Sequence, residues 1–129
     1  MFLYSLIQRA KADRQHIVLP EGTDERILRA TEHLVSQNVV DVTLIGDEQE
    51  INTLITRHQL DIDLDRVAIV KPETHSQFDA YAETLYELRK HRGLTREYAR
   101  DLMRDVSYFG TMMVHKGDAD GMVSGAAHS

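Results

Sequence analysis

Four short apolar runs constrain this chain more than anything else in it. They are His16-Ile17-Val18-Leu19, Val39 to Ile45, Val67-Ala68-Ile69-Val70 and Asp120 to Val123. Each is too short for a helix and has the length of a buried strand. Between them the apolar residues recur at three- and four-residue spacing, which predicts helices. Strands that alternate with helices fold into a parallel sheet joined by right-handed crossovers. The expected fold class is therefore α/β, a three-layer αβα arrangement with a mostly parallel sheet, incomplete at the C-terminus. With 129 residues, the chain is read as a single domain, 1–129.

The helices follow from spacing and punctuation. Residues 2–14 carry Leu3, Leu6, Ile7 and Ala10 on one face. Thr23 is the expected cap of a helix to about Gln37, with Ile27, Ala30, Leu34 and Val35 inward. Asp47 and Glu50 fit a variant capping box ahead of Ile51, Leu54 and Ile55. A longer helix is expected from about Ser76 to Arg92, stopped by Gly93. Thr95 caps the next, through about Asp105. Helical spacing continues over Val106, Phe109 and Met113 after a break near Asp105-Val106-Ser107, and Gly117 is the stop.

Composition removes several classes of function. The balance is 15 basic against 21 acidic residues, net −6, which is not the basic footprint that nucleic acid requires. The chain has no cysteine, so it offers no disulfide, thiolate metal site or cysteine nucleophile. Its histidines show no metal-ligand spacing, so no metal is expected. No apolar run approaches the roughly 20 residues of a membrane helix. The apolar start Met1 to Ile7 is followed, not preceded, by basic residues, the wrong order for a signal peptide. The reading is a cytoplasmic domain with no membrane and no nucleic-acid partner.

Arg89 is the sharpest single residue. On the 76–92 helix the apolar stripe is Phe78, Tyr81, Ala82, Leu85 and Leu88, and Arg89 falls inside that arc at helical periodicity. An arginine facing a core needs a hydrogen-bonded partner. Two partners fit its planar fork: a phosphate or carboxylate ligand, or an internal Asp, with Asp105 and Asp120 as candidates. Lys90, His91 and Arg92 read as a solvated helix end. Arg26 and Arg29 read as solvated or paired with Asp24, Glu25 or Glu32.

The last ten residues, Asp120 to Ser129, run from a strand into Ser124-Gly125-Ala126-Ala127. Small residues after a parallel strand let backbone N–H groups approach an anion, and ligands in such sheets sit at the carboxyl ends of the strands. The spacing Gly121-Met122-Val123-Ser124-Gly125 is not that of a nucleophile elbow, so Ser124 reads as a cradle or packing residue.

Four blocks in order resemble the phosphate acetyltransferase family. They are Val18-Leu19-Pro20-Glu21-Gly22 with Arg26, Leu44-Ile45-Gly46, Tyr86-Glu87-Leu88-Arg89-Lys90-His91-Arg92-Gly93-Leu94-Thr95, and Asp120 to Ser129. Tyr108 to Gly117 is most similar to the long, multi-domain members. The resemblance implies reversible acetyl transfer between acetyl-CoA and inorganic phosphate, giving acetyl phosphate and CoA, as in acetate metabolism. It implies coenzyme A as a substrate, no bound cofactor, and a homo-oligomer in the intact protein. Arg89 matches a family active-site arginine, and Ser124, Gly125 and Ser129 match the start of the phosphate-binding segment.

In the family a second arginine follows this segment, and the catalytic aspartate comes much later. Neither is in this chain. The expectation is that 1–129 is the first part of such a catalytic region, inactive by itself and prone to self-association. Two other readings stand beside it: a non-catalytic regulatory or oligomerisation domain like that appended to malic enzymes, and a phosphate butyryltransferase.

Overall fold

The computed structural model describes residues 14–125. The helix expected over 2–14, apart from Arg14, lies outside the described residues, as do His128 and Ser129. Four parallel strands form one sheet: β1 (Gln15–Leu19), β2 (Val40–Ile45), β3 (Val67–Val70) and β4 (Gly121–Met122). Their spatial order is β3-β2-β1-β4. The short β4 is extended by backbone bonds from Asp120 N to the His16 carbonyl, 2.8 Å, and from Val123 N to the Val18 carbonyl, 3.0 Å. The expected run 120–123 thus pairs along its length.

Alternate strand residues face opposite layers. Ile17, Leu19, Val42 and Leu44 face α1 (Glu25–Gln37) and α2 (Glu48–Arg57), where Leu28, Leu34 and Ile51 are buried. Val18 and Ile45 face the other layer, formed by α3 (Phe78–Arg89), α4 (Arg96–Met103) and α5 (Val106–His115). Tyr81, Phe109 and Met103 are fully buried there, and Met112 and Met113 are core residues. The layers are helices, sheet, helices, as the alternation of spacings requires.

The caps explain where the helices begin. Asp47 accepts from Glu50 N at 2.9 Å and Thr95 from Tyr98 N at 3.1 Å, as expected. The break between α4 and α5 is made by Asp105, which accepts from Ser107 N and Tyr108 N. The cap of α1 is Asp24, not Thr23. Its extended backbone places the carboxylate on Arg26 N at 2.8 Å, which the residue one position earlier does not do.

The helix expected through Arg92 is also shorter. α3 ends at Arg89, where the backbone turns to φ −123°, and Lys90–Arg92 form a separate 3₁₀ turn before Gly93 at φ +88°. That early end determines where Arg89 points.

Candidate functional site at the carboxyl edge of the sheet

Because β1, β2 and β4 are parallel, the segments leaving them meet at one edge. Pro20-Glu21-Gly22 leaves β1, Gly46 leaves β2, and Val123-Ser124-Gly125 leaves β4. The backbones approach closely. Gly22 N donates to the Ile45 carbonyl at 3.1 Å, and a Cβ on Gly22 would stand 2.8 Å from that oxygen. A cavity of about 400 Å³ opens beside this junction, lined by Pro20, Glu21, Thr23, Asp24, Gly46 and Val106.

Glu21 joins the first and last strands. Its residue is only 9% exposed, and its Oε1 accepts from Gly125 N at 2.5 Å and from the Ser124 hydroxyl at 3.3 Å. Gly125 also packs on Ile27, whose Cδ1 would lie 2.7 Å from a Cβ at that position. Ser124 itself is exposed. The two donors thus already meet a carboxylate: the Gly125 N–H is engaged closely, and the Ser124 hydroxyl by the longer contact. The sequence reading places Glu21 only within the Val18 to Gly22 block. The available signal is an acidic residue held between Pro20 and Gly22 directly after a buried strand.

Two basic residues near this edge are paired locally. Arg26 contacts the Asp24 carboxylate at 3.2 Å, and Arg29 contacts Glu25 at 2.8 Å. The hydrogen bond from Arg26 holds the Asp24 carboxyl below its usual range.

Arg89 does not face the core, contrary to the periodicity. It is exposed, and its neighbour Leu88 is 48% exposed. The reason is the end of α3: the stripe is covered by α4 and α5 up to Leu85, and Arg89 lies beyond that cover. Neither candidate aspartate pairs with it, and both are exposed. Asp105 is spent as a helix cap, and Asp120 accepts from His16 N at 2.8 Å. The Arg89 side chain makes no hydrogen bond or ion pair with any described residue.

Two cavities meet at Arg89. One, about 260 Å³, includes Leu85, Arg92, Gly93 and Tyr98. The other, about 330 Å³, lies between α3 and α5 and includes Leu88, Ser107, Tyr108, Thr111 and His115. The structure therefore brings Ser124 and Gly125 together, and keeps Arg89 in separate cavities. The start of α5 lies between them, with Val106 on the Glu21 cavity and Ser107 and Tyr108 on the Arg89 cavity. A more voluminous cavity, about 640 Å³, lies at the other end of the strands. Its Arg14 is paired with Asp41 and its Arg66 with Asn38.

Among the described residues no three His, Asp or Glu side chains gather as a metal site, and no helix is long and apolar enough to cross a membrane.

Comparison with known proteins adds the family. The family model described as phosphate acetyl/butaryl transferase matches residues 1–129. The chain is 48% identical over 129 residues to the phosphate acetyltransferase of Synechocystis sp., covering all of this chain and 18% of that protein. It is 48% identical over 124 residues to the phosphate acetyltransferase of Corynebacterium glutamicum, covering 37% of that protein. The EutD phosphotransacetylase from Staphylococcus aureus superposes with a TM-score of 0.83 at 37% identity, over 98% of this chain and 38% of that one. The chain thus spans well under half the length of the relatives it matches.

Proposed function

The chain belongs to the phosphate acetyl/butaryl transferase family, and from that premise we propose that it serves reversible acetyl transfer between coenzyme A and inorganic phosphate, in a cytoplasmic setting. In the direction of acetyl-CoA formation, the CoA thiolate attacks the acetyl carbon of acetyl phosphate. A C–S bond forms, the C–O bond to phosphate breaks, and inorganic phosphate leaves with the electron pair. The thiol proton goes to a base.

The observation that carries this reading is Arg89. Its guanidinium is exposed and without a partner among the described residues, at the rim of a mixed apolar and polar groove. An unpaired planar cation is suited to a phosphoryl group and to the charge that develops on it in the transition state. Leu85 and Leu88 beside it offer apolar surface to the rest of the substrate. Ser124, whose hydroxyl is exposed and makes only a long contact of 3.3 Å to Glu21, and Ser129 supply hydrogen bonds to phosphate. Gly125 gives the segment its close approach to Glu21 and Ile27.

No residue of the chain is assigned as the base, and the reading includes that 1–129 by itself does not turn over. The test is formation of acetyl-CoA from acetyl phosphate and CoA by the purified chain, alongside inorganic phosphate binding. The expected result is phosphate binding that depends on Arg89, without turnover. Turnover that disappears in Arg89→Ala at this chain length would overturn the inactivity, and phosphate binding indifferent to Arg89 would overturn its role.

A further inference from the structure

The contact between Glu21 and Gly125 spans 104 residues of sequence and closes the carboxyl edge of the sheet. We infer that Glu21 is a positioning residue: its carboxylate anchors Gly125 and so sets the course of the segment that carries Ser124 toward ligand. The role rests on the phosphate-binding reading of that segment given above.

Three observations support it. First, the carboxylate is on the protein side of the junction, in a residue 9% exposed, so it is not a freely swinging surface group. A carboxylate withdrawn from water is held by the donors it accepts from, and Gly125 N at 2.5 Å is a short, charge-assisted one.

Second, the segment is closely packed where it meets the carboxylate. Gly125 meets both Glu21 Oε1 and Ile27, closely enough that a Cβ would stand 3.2 Å from the carboxylate oxygen and 2.7 Å from Ile27 Cδ1.

Third, Glu21 is itself held in place. Its carbonyl accepts from Asp24 N at 3.0 Å, and the next residue, Gly22, is bonded to the Ile45 carbonyl of β2. Glu21 thus transmits the position of β1 and β2 to the chain leaving β4. Of the two donors, the Gly125 N–H is committed to this anchor. The Ser124 hydroxyl, at a longer 3.3 Å and exposed, is the one that can turn to a phosphate oxygen.

The experiment is amide NMR of the 129-residue chain with inorganic phosphate as the probe. In the wild type a coupling through the hydrogen bond between Gly125 ¹⁵N and the Glu21 carboxyl carbon is expected, with Gly125 displaced downfield. Glu21→Ala is expected to abolish both, to raise the mobility of Ser124 and Gly125, and to weaken phosphate binding, with the Leu19 and Leu44 amides unmoved. Glu21→Gln, whose amide oxygen still accepts from Gly125, is expected to restore the anchor and phosphate affinity, a rescue that lost bulk alone does not produce.

Absence of the wild-type coupling overturns the inference, and needs no variant to fold. So does a Gly125 resonance indifferent to Glu21→Ala. A Gly125 resonance that responds to Glu21→Ala, together with a wild-type chain that binds no phosphate, supports the anchor and overturns the phosphate reading instead.

Discussion

Tyr81, on the helix that ends in Arg89, donates its hydroxyl hydrogen to Asp118, in the turn from which β4 departs. The ring is fully buried against Phe109, 5.0 Å between centroids, and the His75 ring packs on both. Burial, and then the Asp118 carboxylate, push the Tyr81 hydroxyl well above its usual range, so it remains a donor. One side chain thus couples the element bearing Arg89 to the element bearing Ser124. Tyr81→Phe keeps the ring and removes only the donor. Because Asp118 is exposed and regains water, the expected loss is about 1 kcal/mol, read as a lower urea midpoint with unchanged slope.

Arg89→Ala is expected to separate binding from stability. The side chain is exposed and holds no described partner, so stability changes by no more than about 0.5 kcal/mol. Phosphate affinity falls by at least about tenfold, the loss of one charge-assisted contact. Calorimetric phosphate titration beside a urea melt checks both halves, and Arg89→Lys is expected to recover only part of the affinity because the fork is gone.

Gly22→Ala tests the close packing at the carboxyl edge. The new Cβ would stand 2.8 Å from the Ile45 carbonyl oxygen and 3.0 Å from Ile51 Cδ1. A backbone oxygen in a sheet yields little, so the expected cost is about 1–3 kcal/mol. Gly93→Ala makes a useful contrast: nothing lies within 4 Å of its Cβ position, and its cost is conformational, from φ +88°. Denaturant melts of the two variants, with the Gly125 amide followed only in the first, distinguish crowding from backbone strain.

The response to acid follows from three carboxyls held below their usual range. Arg26 bonds Asp24, Arg14 bonds Asp41 and Arg96 bonds Glu83. The unfolded chain binds these protons more readily, so stability rises with pH through the window between the folded and unfolded values. The contribution is present above about pH 4 and is lost as the pH falls through the folded values. Asp24→Asn keeps the helix cap on Arg26 N and removes the charge. The gap in urea midpoint between about pH 6 and about pH 3 should therefore narrow in this variant.

Much of the fold is legible along the chain. The strand runs at 16–19, 67–70 and 120–123 pair as expected, Asp47 and Thr95 cap their helices, and the interruption near Asp105 is a cap. Those features depend on residues within a few positions of one another. The α1 cap was misassigned by one residue because Thr23 and Asp24 are both competent caps, and only backbone conformation chooses between them. Arg89 was misplaced for a related reason. Helical periodicity assigns a face to every residue of a helix, but it does not say where the covering layer stops.

What the sequence determined by itself is therefore the alternation of elements, the two-faced burial of the strands and the family-like blocks that include Arg89 and Ser124. Tertiary structure alone decided that Arg89 stands uncovered and that Gly125 meets Glu21, a carboxylate 104 positions away. Spacing and turn chemistry act through the covalent chain over one or two turns, whereas the reach of a covering helix and the partner of a distant N–H are fixed only when the layers pack.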